Sequence, residues 1–241
     1  MGFELIVAFV ALVAGGVASV AGFGIGSLLT PVIGLQVGTK VAVAAVSIPH
    51  LIGTAQRLWI LRRHIDRRVL LGFGVASAAG GLAGALLHSR ASNRALTITF
   101  GALLILAGVS ELTGFIGRVN WGRRAAWIAG AVSGLFGGLV GNQGGTRAAA
   151  LLGFHVPREA FIATAAAVAL IVDGARLPVY LATEGNAIAA IWPVVLTATV
   201  GVMVGTLLGT RALTRIPGAK FRRVVAVLLV GLGVFVLLGT T

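Results

Sequence analysis

Arg57, Arg147 and Arg176 each sit inside a long apolar run, away from the clusters that hold the other cations. An ionised side chain in such a run is costly and generally faces a bundle interior or a wet cavity. Arg57 shares one helical face with Ser47, His50 and Thr54, because spacings of 3, 4 and 3 return to the same side of a helix. Asp173, Arg176, Tyr180 and Thr183 repeat that spacing later in the chain. At 1.5 Å per residue, Arg57 lies about 7 Å inside Arg62 and Arg176 about 10 Å inside Thr183. Two readings fit. In one, Arg57 snorkels to the nearer surface and Arg176 pairs with Asp173 at i, i+3. In the other, the two arginines form symmetry-related cationic vestibules on either side of a site, with His50, Thr54 and Asp173 along the path. His50 is a lone mid-run histidine, fitted either to proton relay or to a structural hydrogen bond.

Arg147 belongs to a different feature. It closes the stretch "GNQGGTR" (141–147), which matches "GFGIGS" (22–27) in the first half. Each glycine cluster interrupts an apolar run, and a short helix is predicted after it, at Ser27–Leu35 and Thr146–Phe154. The first N–H groups of such a helix have no intrahelical partner, and its dipole presents positive charge there. Such an end favours anions, and glycine lets backbone approach a ligand closely. The residues that would line an anion are Gly24, Gly26, Ser27 and Thr30 at the first break. At the second they are Asn142, Gln143, Gly144, Gly145, Thr146 and Arg147. The plainer alternative is that the glycines only permit close helix packing and that Arg147 snorkels.

Other chemistries are poorly served. There are no cysteines and only six carboxylates: Glu4, Asp66, Glu111, Glu159, Asp173 and Glu184. None pairs with another as an acid/base dyad within a span, and no HExxH occurs. "GFGIGS" lacks the context of a dinucleotide site. His64, His88 and His155 read as loop residues without a metal constellation. The chain is therefore expected to be no enzyme, with no cofactor and no metal.

The elements that must position these residues follow from composition. Of 241 residues, 58% are hydrophobic and 10% charged, against about a quarter charged in globular domains. This is the composition of an all-α polytopic membrane protein. The net charge of +13 is gathered between apolar runs, a pattern that reports orientation and gives no reason to expect nucleic acid. Spans are expected at about Val41–Leu61, Val69–Leu87, Ala95–Leu112, Ala160–Thr183, Ala187–Leu208 and Phe221–Leu238, each near the roughly 20 residues a bilayer needs. Leu5–Leu35 and Ala125–Phe154 are longer and glycine-broken.

The halves resemble each other. A shift of 119 residues places Gly22 on Gly141, Gly26 on Gly145 and Arg57 on Arg176. Two repeats are expected, 1–116 and 125–241, joined by a basic linker at 117–124. If both broken runs cross the membrane, the cations outside the apolar runs divide 7 to 9 between the sides. If each is a re-entrant hairpin, 13 fall on one side and 3 on the other. The second arrangement obeys the positive-inside rule. It gives three spans per repeat, so the repeats are inverted and both termini face outward. Trp59, Trp121 and Trp127 then fall at the inner interface, Tyr180 and Trp192 near the outer one. Gly80, Gly84, Gly201, Gly205 and Gly209 form GxxxG patterns suited to close helix contact, within the chain or across a homodimer.

The breaks "ASVAGFGIGSLLTPVIGL" (18–35) and "SGLFGGLVGNQGGTRAAALLGF" (133–154) resemble those of the sulfite exporter TauE/SafE family. Pro31 follows the first break, and Ala150 stands at the matching position of the second. The resemblance implies secondary transport, usually outward, of sulfur-containing anions such as sulfite or small sulfonates across the inner membrane. The partners are then the anion and the lipid bilayer. A channel-like facilitator and a non-transporting scaffold remain the alternatives.

Overall fold

The computed structural model describes residues 2–114, 123–142, 157–212 and 218–239, together with Gly144, Arg147 and Leu151. Helices dominate, and no strand occurs among the described residues. Helix α1 spans Gly2–Ala21 and α2 Ile25–Leu61. Helix α3 covers Arg67–Arg90, with a π turn at Leu70–Gly74. Helices α4 (Asn93–Thr113), α5 (Arg123–Val140), α6 (Arg158–Ala190), α7 (Trp192–Ala212) and α8 (Gly218–Leu238) follow. Among the described residues six helices are long and apolar enough to cross a membrane. The chain is a multi-pass membrane protein.

Helix α2 is two helices. Gly38, at φ 76° and ψ 161°, leaves helical geometry. A Cβ on Gly34 would lie 3.7 Å from that of Ala42, whereas eight residues of straight helix span about 12 Å. The chain doubles back at Gly38. It also turns at Gly22–Gly24, where Gly24 has φ 135° and a Cβ on it would press on Val17 Cγ1 at 2.8 Å.

Glycines set the helix pairs. The backbones of Gly80 and Gly84 on α3 meet Ala131 and Leu135 on α5, while Gly134 and Gly138 meet Ser77 and Gly81. A Cβ at any of these would strike a backbone carbonyl. On α7, Gly201 and Gly205 meet Ala8 and Leu12 of α1, and Gly209 meets Gly16. These GxxxG contacts are within one chain. Position rises together along both partners, so α5 runs parallel to α3 and α1 parallel to α7. Helix α4 instead packs antiparallel on α8, with Gly101 near Gly233 and Leu237 and Gly108 near Ala226.

One end of the bundle gathers Leu61, Ile65, Ile162 and Val20 in one apolar cluster, beside the Asp66 N–H bond to Thr164 at 2.9 Å. Arg62, Arg63, Arg67 and Arg68 lie there. The opposite end is tied by Lys40, whose Nζ donates to the carbonyls of Ser89 (2.9 Å) and Ala91 (3.3 Å) and lies 3.7 Å from Glu184.

Three expectations need correction. A boundary between Thr183 and Ala187 is absent: α6 continues to Ala190 and the chain turns at Ile191. The polar "TEGN" (183–186) is accommodated in the helix because it lies at the bundle's end, where Glu184 meets Lys40. Tyr180 is no interfacial belt residue: it is fully buried, and its hydroxyl donates to the Gly138 carbonyl. His88 is no loop residue: it sits buried in α3, donating Nδ1–H to Leu139 O at 2.8 Å, its ring 4.8 Å from that of Tyr180. Trp59, Trp127 and Trp192 are exposed; Trp121, His155 and most of the linker lie outside the described residues.

Candidate functional site

The two glycine breaks meet. A Cβ on Gly26 would lie 2.6 Å from Gly141 O, and Gly144 packs on Phe23. Gly141 itself takes φ 71°, which only glycine adopts without strain. Ser27 Oγ donates to Asn142 Oδ1 at 3.2 Å, joining the breaks directly. The helix that starts at Ile25 has Gly24 as its N-cap and no side-chain cap. Its first residues, Ile25, Gly26 and Ser27, are buried, so these N–H groups have neither a capping side chain nor bulk water.

Gly144, Arg147 and Leu151 are helical, and their spacing of 3 and 4 puts them on one face. Arg147 is 1% exposed. Leu151 packs with Val69, Phe73 and Val168, on the side of the bundle where α3 begins. Gln143, Gly145 and Thr146 lie outside the described residues.

The stripe on α2 turns inward over its whole length. Ser47, His50, Thr54 and Arg57 are all buried. On α6, Asp173, Arg176 and Tyr180 are buried as well, while Thr183 faces outward. Asp173 is the hub. Its Oδ2 lies 2.6 Å from His50 Nδ1, and its Oδ1 accepts from Arg176 Nε at 3.0 Å and Nη2 at 2.8 Å. Arg176 also donates to Gly137 O, and its Cζ stands 5.7 Å from the Tyr180 ring centroid. Sequence reasoning set Tyr180 on the stripe with Asp173 and Arg176 but missed the Gly137 and Gly138 carbonyls that complete the network. No sequence signal marks those carbonyls, because they belong to the backbone of another helix.

Arg176 is therefore fully engaged; Arg57 and Arg147 are not. Arg57 Nε and Nη1 and Arg147 Nη1 are buried without a hydrogen-bond partner, as are Asn142 Nδ2, Thr30 Oγ1 and Thr54 Oγ1. Both arginines feel the charge of Asp173, and Arg147 also that of Arg57 and Arg176, so these groups share one electrostatic environment. The break and the stripe are adjacent: a Cβ on Gly141 would be 3.6 Å from Arg176 Nη1, and one on Gly53 3.3 Å from Ile25 Cδ1. An unsatisfied buried donor costs about 1–3 kcal/mol, more when charged. Unpartnered donors of this kind are what an oxyanion satisfies, through charge-assisted hydrogen bonds to guanidinium and amide N–H groups.

A cavity of ≈ 180 Å³ reaches Thr30 from the bundle end that carries Gly38, Asn93 and Gly239. Among the described residues no group of three or more His, Cys, Asp and Glu is placed to hold a metal ion.

The family model described as "Sulfite exporter TauE/SafE" matches residues 7–236. None of the curated proteins and none of the solved structures compared with the chain matches it.

Proposed function

The chain belongs to the sulfite exporter TauE/SafE family, and we propose on that premise that it is a secondary transporter exporting small sulfur-containing oxyanions, sulfite or organosulfonates. The observation that carries this reading is the set of buried, unpartnered donors on Arg57, Arg147 and Asn142 beside an uncapped helix start. The anion would accept from Arg147, Arg57, Asn142 and the N–H groups at Gly26 and Ser27, with Thr30 and Thr54 at its edge. Gln143, Gly145 and Thr146 would complete the second half of the site. Arg176, held by Asp173, would shape the wall, and His50 would orient Asp173.

The architecture behind this reading is a pair of inverted repeats, each a re-entrant hairpin followed by three spans. Its support is directional. Helix α1 is parallel to α7 and α5 to α3, while the first broken arm is followed by a segment that turns at Gly38. Sites between such repeats lie near the midplane, where half-helix ends meet the substrate. The end bearing Arg62, Arg63, Arg67 and Arg68 would face the cytoplasm by the positive-inside rule, with both termini outside. The cavity at Thr30 would then be the outward route. An inside-negative potential favours anion efflux by about 2.3 kcal/mol per charge per 100 mV.

The test is ligand-dependent thermal stabilisation and proteoliposome flux with sulfite, sulfate, thiosulfate and small sulfonates. Saturable flux of at least one of these, with stabilisation by the same anion, is expected. Non-saturating flux would identify a channel-like facilitator. No response from folded protein to any of them would leave a scaffold.

A further inference from the structure

We propose that the site is matched in charge to a dianion and discriminates it from a monoanion of similar shape. This rests on the reading of the same residues as an anion site.

The buried charges of the site do not balance. Among the described residues the buried ionisable groups of the site are Arg57, Arg147, Arg176, Asp173 and His50. Asp173 offsets one guanidinium, and the geometry says which: Arg176, held through two nitrogens. Arg57 and Arg147 remain. No other carboxylate can reach them, because the sequence has only five more. Glu4 lies in the first turn of α1. Asp66 caps α3 at the basic end through Arg68 N. Glu111 meets Arg222 at 3.1 Å, and Glu184 faces Lys40. Glu159 is exposed in the first turn of α6.

With His50 neutral and donating Nδ1–H to Asp173, the site carries two uncompensated positive charges. Protonation of His50 raises the excess to three, and the uncapped start of α2 adds partial positive charge. In neither state does a monoanion neutralise the site. A bound monoanion leaves at least one guanidinium buried and unpaired, which low-dielectric surroundings penalise strongly. A dianion with three or more oxygens offers both the charge and the acceptors that Arg57 Nε and Nη1, Arg147 Nη1 and Asn142 Nδ2 lack. The structure thus favours sulfite-like dianions over organosulfonates, which carry a single negative charge on a similar head.

The test is competition binding to purified full-length protein at about pH 8, where sulfite is mainly the dianion, with sulfite, sulfate and methanesulfonate as probes. Sulfate and methanesulfonate share a tetrahedral shape and differ by one charge. The tighter of the two dianions is expected to bind at least about tenfold more strongly than methanesulfonate. Affinities within about threefold, or a preference for methanesulfonate, would overturn the proposal while leaving an anion site in place. Binding of none of the three to folded protein would instead remove the anion site itself. Arg57→Gln lowers the excess charge by one and is expected to shrink the preference, while Arg57→Lys keeps it. A folded Arg57→Gln protein with the full preference would remove Arg57 from the charge balance. The wild-type comparison stands whether or not these variants fold.

Discussion

Asp173 Oδ2 lies 2.6 Å from His50 Nδ1, although 123 residues separate them in the chain. The same carboxylate grips Arg176 through its other oxygen, so one buried acid joins the stripe of α2 to that of α6. Removing it leaves Arg176 buried without a counter-charge. Asp173→Asn is expected to destabilise the protein by about 3–5 kcal/mol, read as a large fall in the thermal unfolding midpoint in detergent. An unchanged midpoint would mean that the pair does not hold the two helices together.

Arg147 is expected to matter for flux more than for folding. Its Nη1 has no hydrogen-bond partner, so Arg147→Gln removes a buried charge that no neighbouring group fully satisfies. Sulfite efflux from proteoliposomes should fall by about tenfold or more, since hydrogen bonds to charged groups are worth about 1.5–3 kcal/mol. Equal flux and equal sulfite affinity in the variant would take Arg147 out of the site.

Helix packing makes a matched pair of predictions. A Cβ at Gly134 would collide with the Ser77 carbonyl, whereas one at Gly185 meets nothing within 4 Å. Gly134→Ala should cost about 1–3 kcal/mol as the α3–α5 contact is pushed apart. Gly185→Ala should be neutral or slightly stabilising, because alanine lowers the backbone entropy lost on helix formation. Thermal midpoints of the two variants, measured side by side, decide this.

Topology is testable on a chain that has no cysteine of its own. Arg68→Cys and Gly218→Cys should both react from the cytoplasmic side, and Arg90→Cys, which is exposed at the other end of α3, only from outside. Reaction of Arg68→Cys and Gly218→Cys from opposite sides would contradict the directions proposed for the helices.

By itself the sequence determined the membrane class, the positions of the two glycine breaks and the face shared by Ser47, His50, Thr54 and Arg57. These are local properties: hydropathy over a span, backbone freedom at glycine and the helical period. It also carried the family resemblance, since the breaks are contiguous motifs. It misplaced Tyr180 and His88 because a polar ring near a helix end reads as interfacial or loop-bound until its partner is known. Those partners are the carbonyls of Gly138 and Leu139 on another helix. Spacing did offer the Arg176–Asp173 pair at i, i+3, but it could not say that Arg57 would find no such partner. Arg57 and Arg176 occupy matching positions in the two halves, yet the fold gives Arg176 the carboxylate of Asp173, the Gly137 carbonyl and the Tyr180 ring, and leaves Arg57 Nε and Nη1 with no partner. Only the tertiary structure decides what Arg57 is left with, because that depends on Asp173, 123 residues beyond His50, turning its two oxygens to His50 and Arg176.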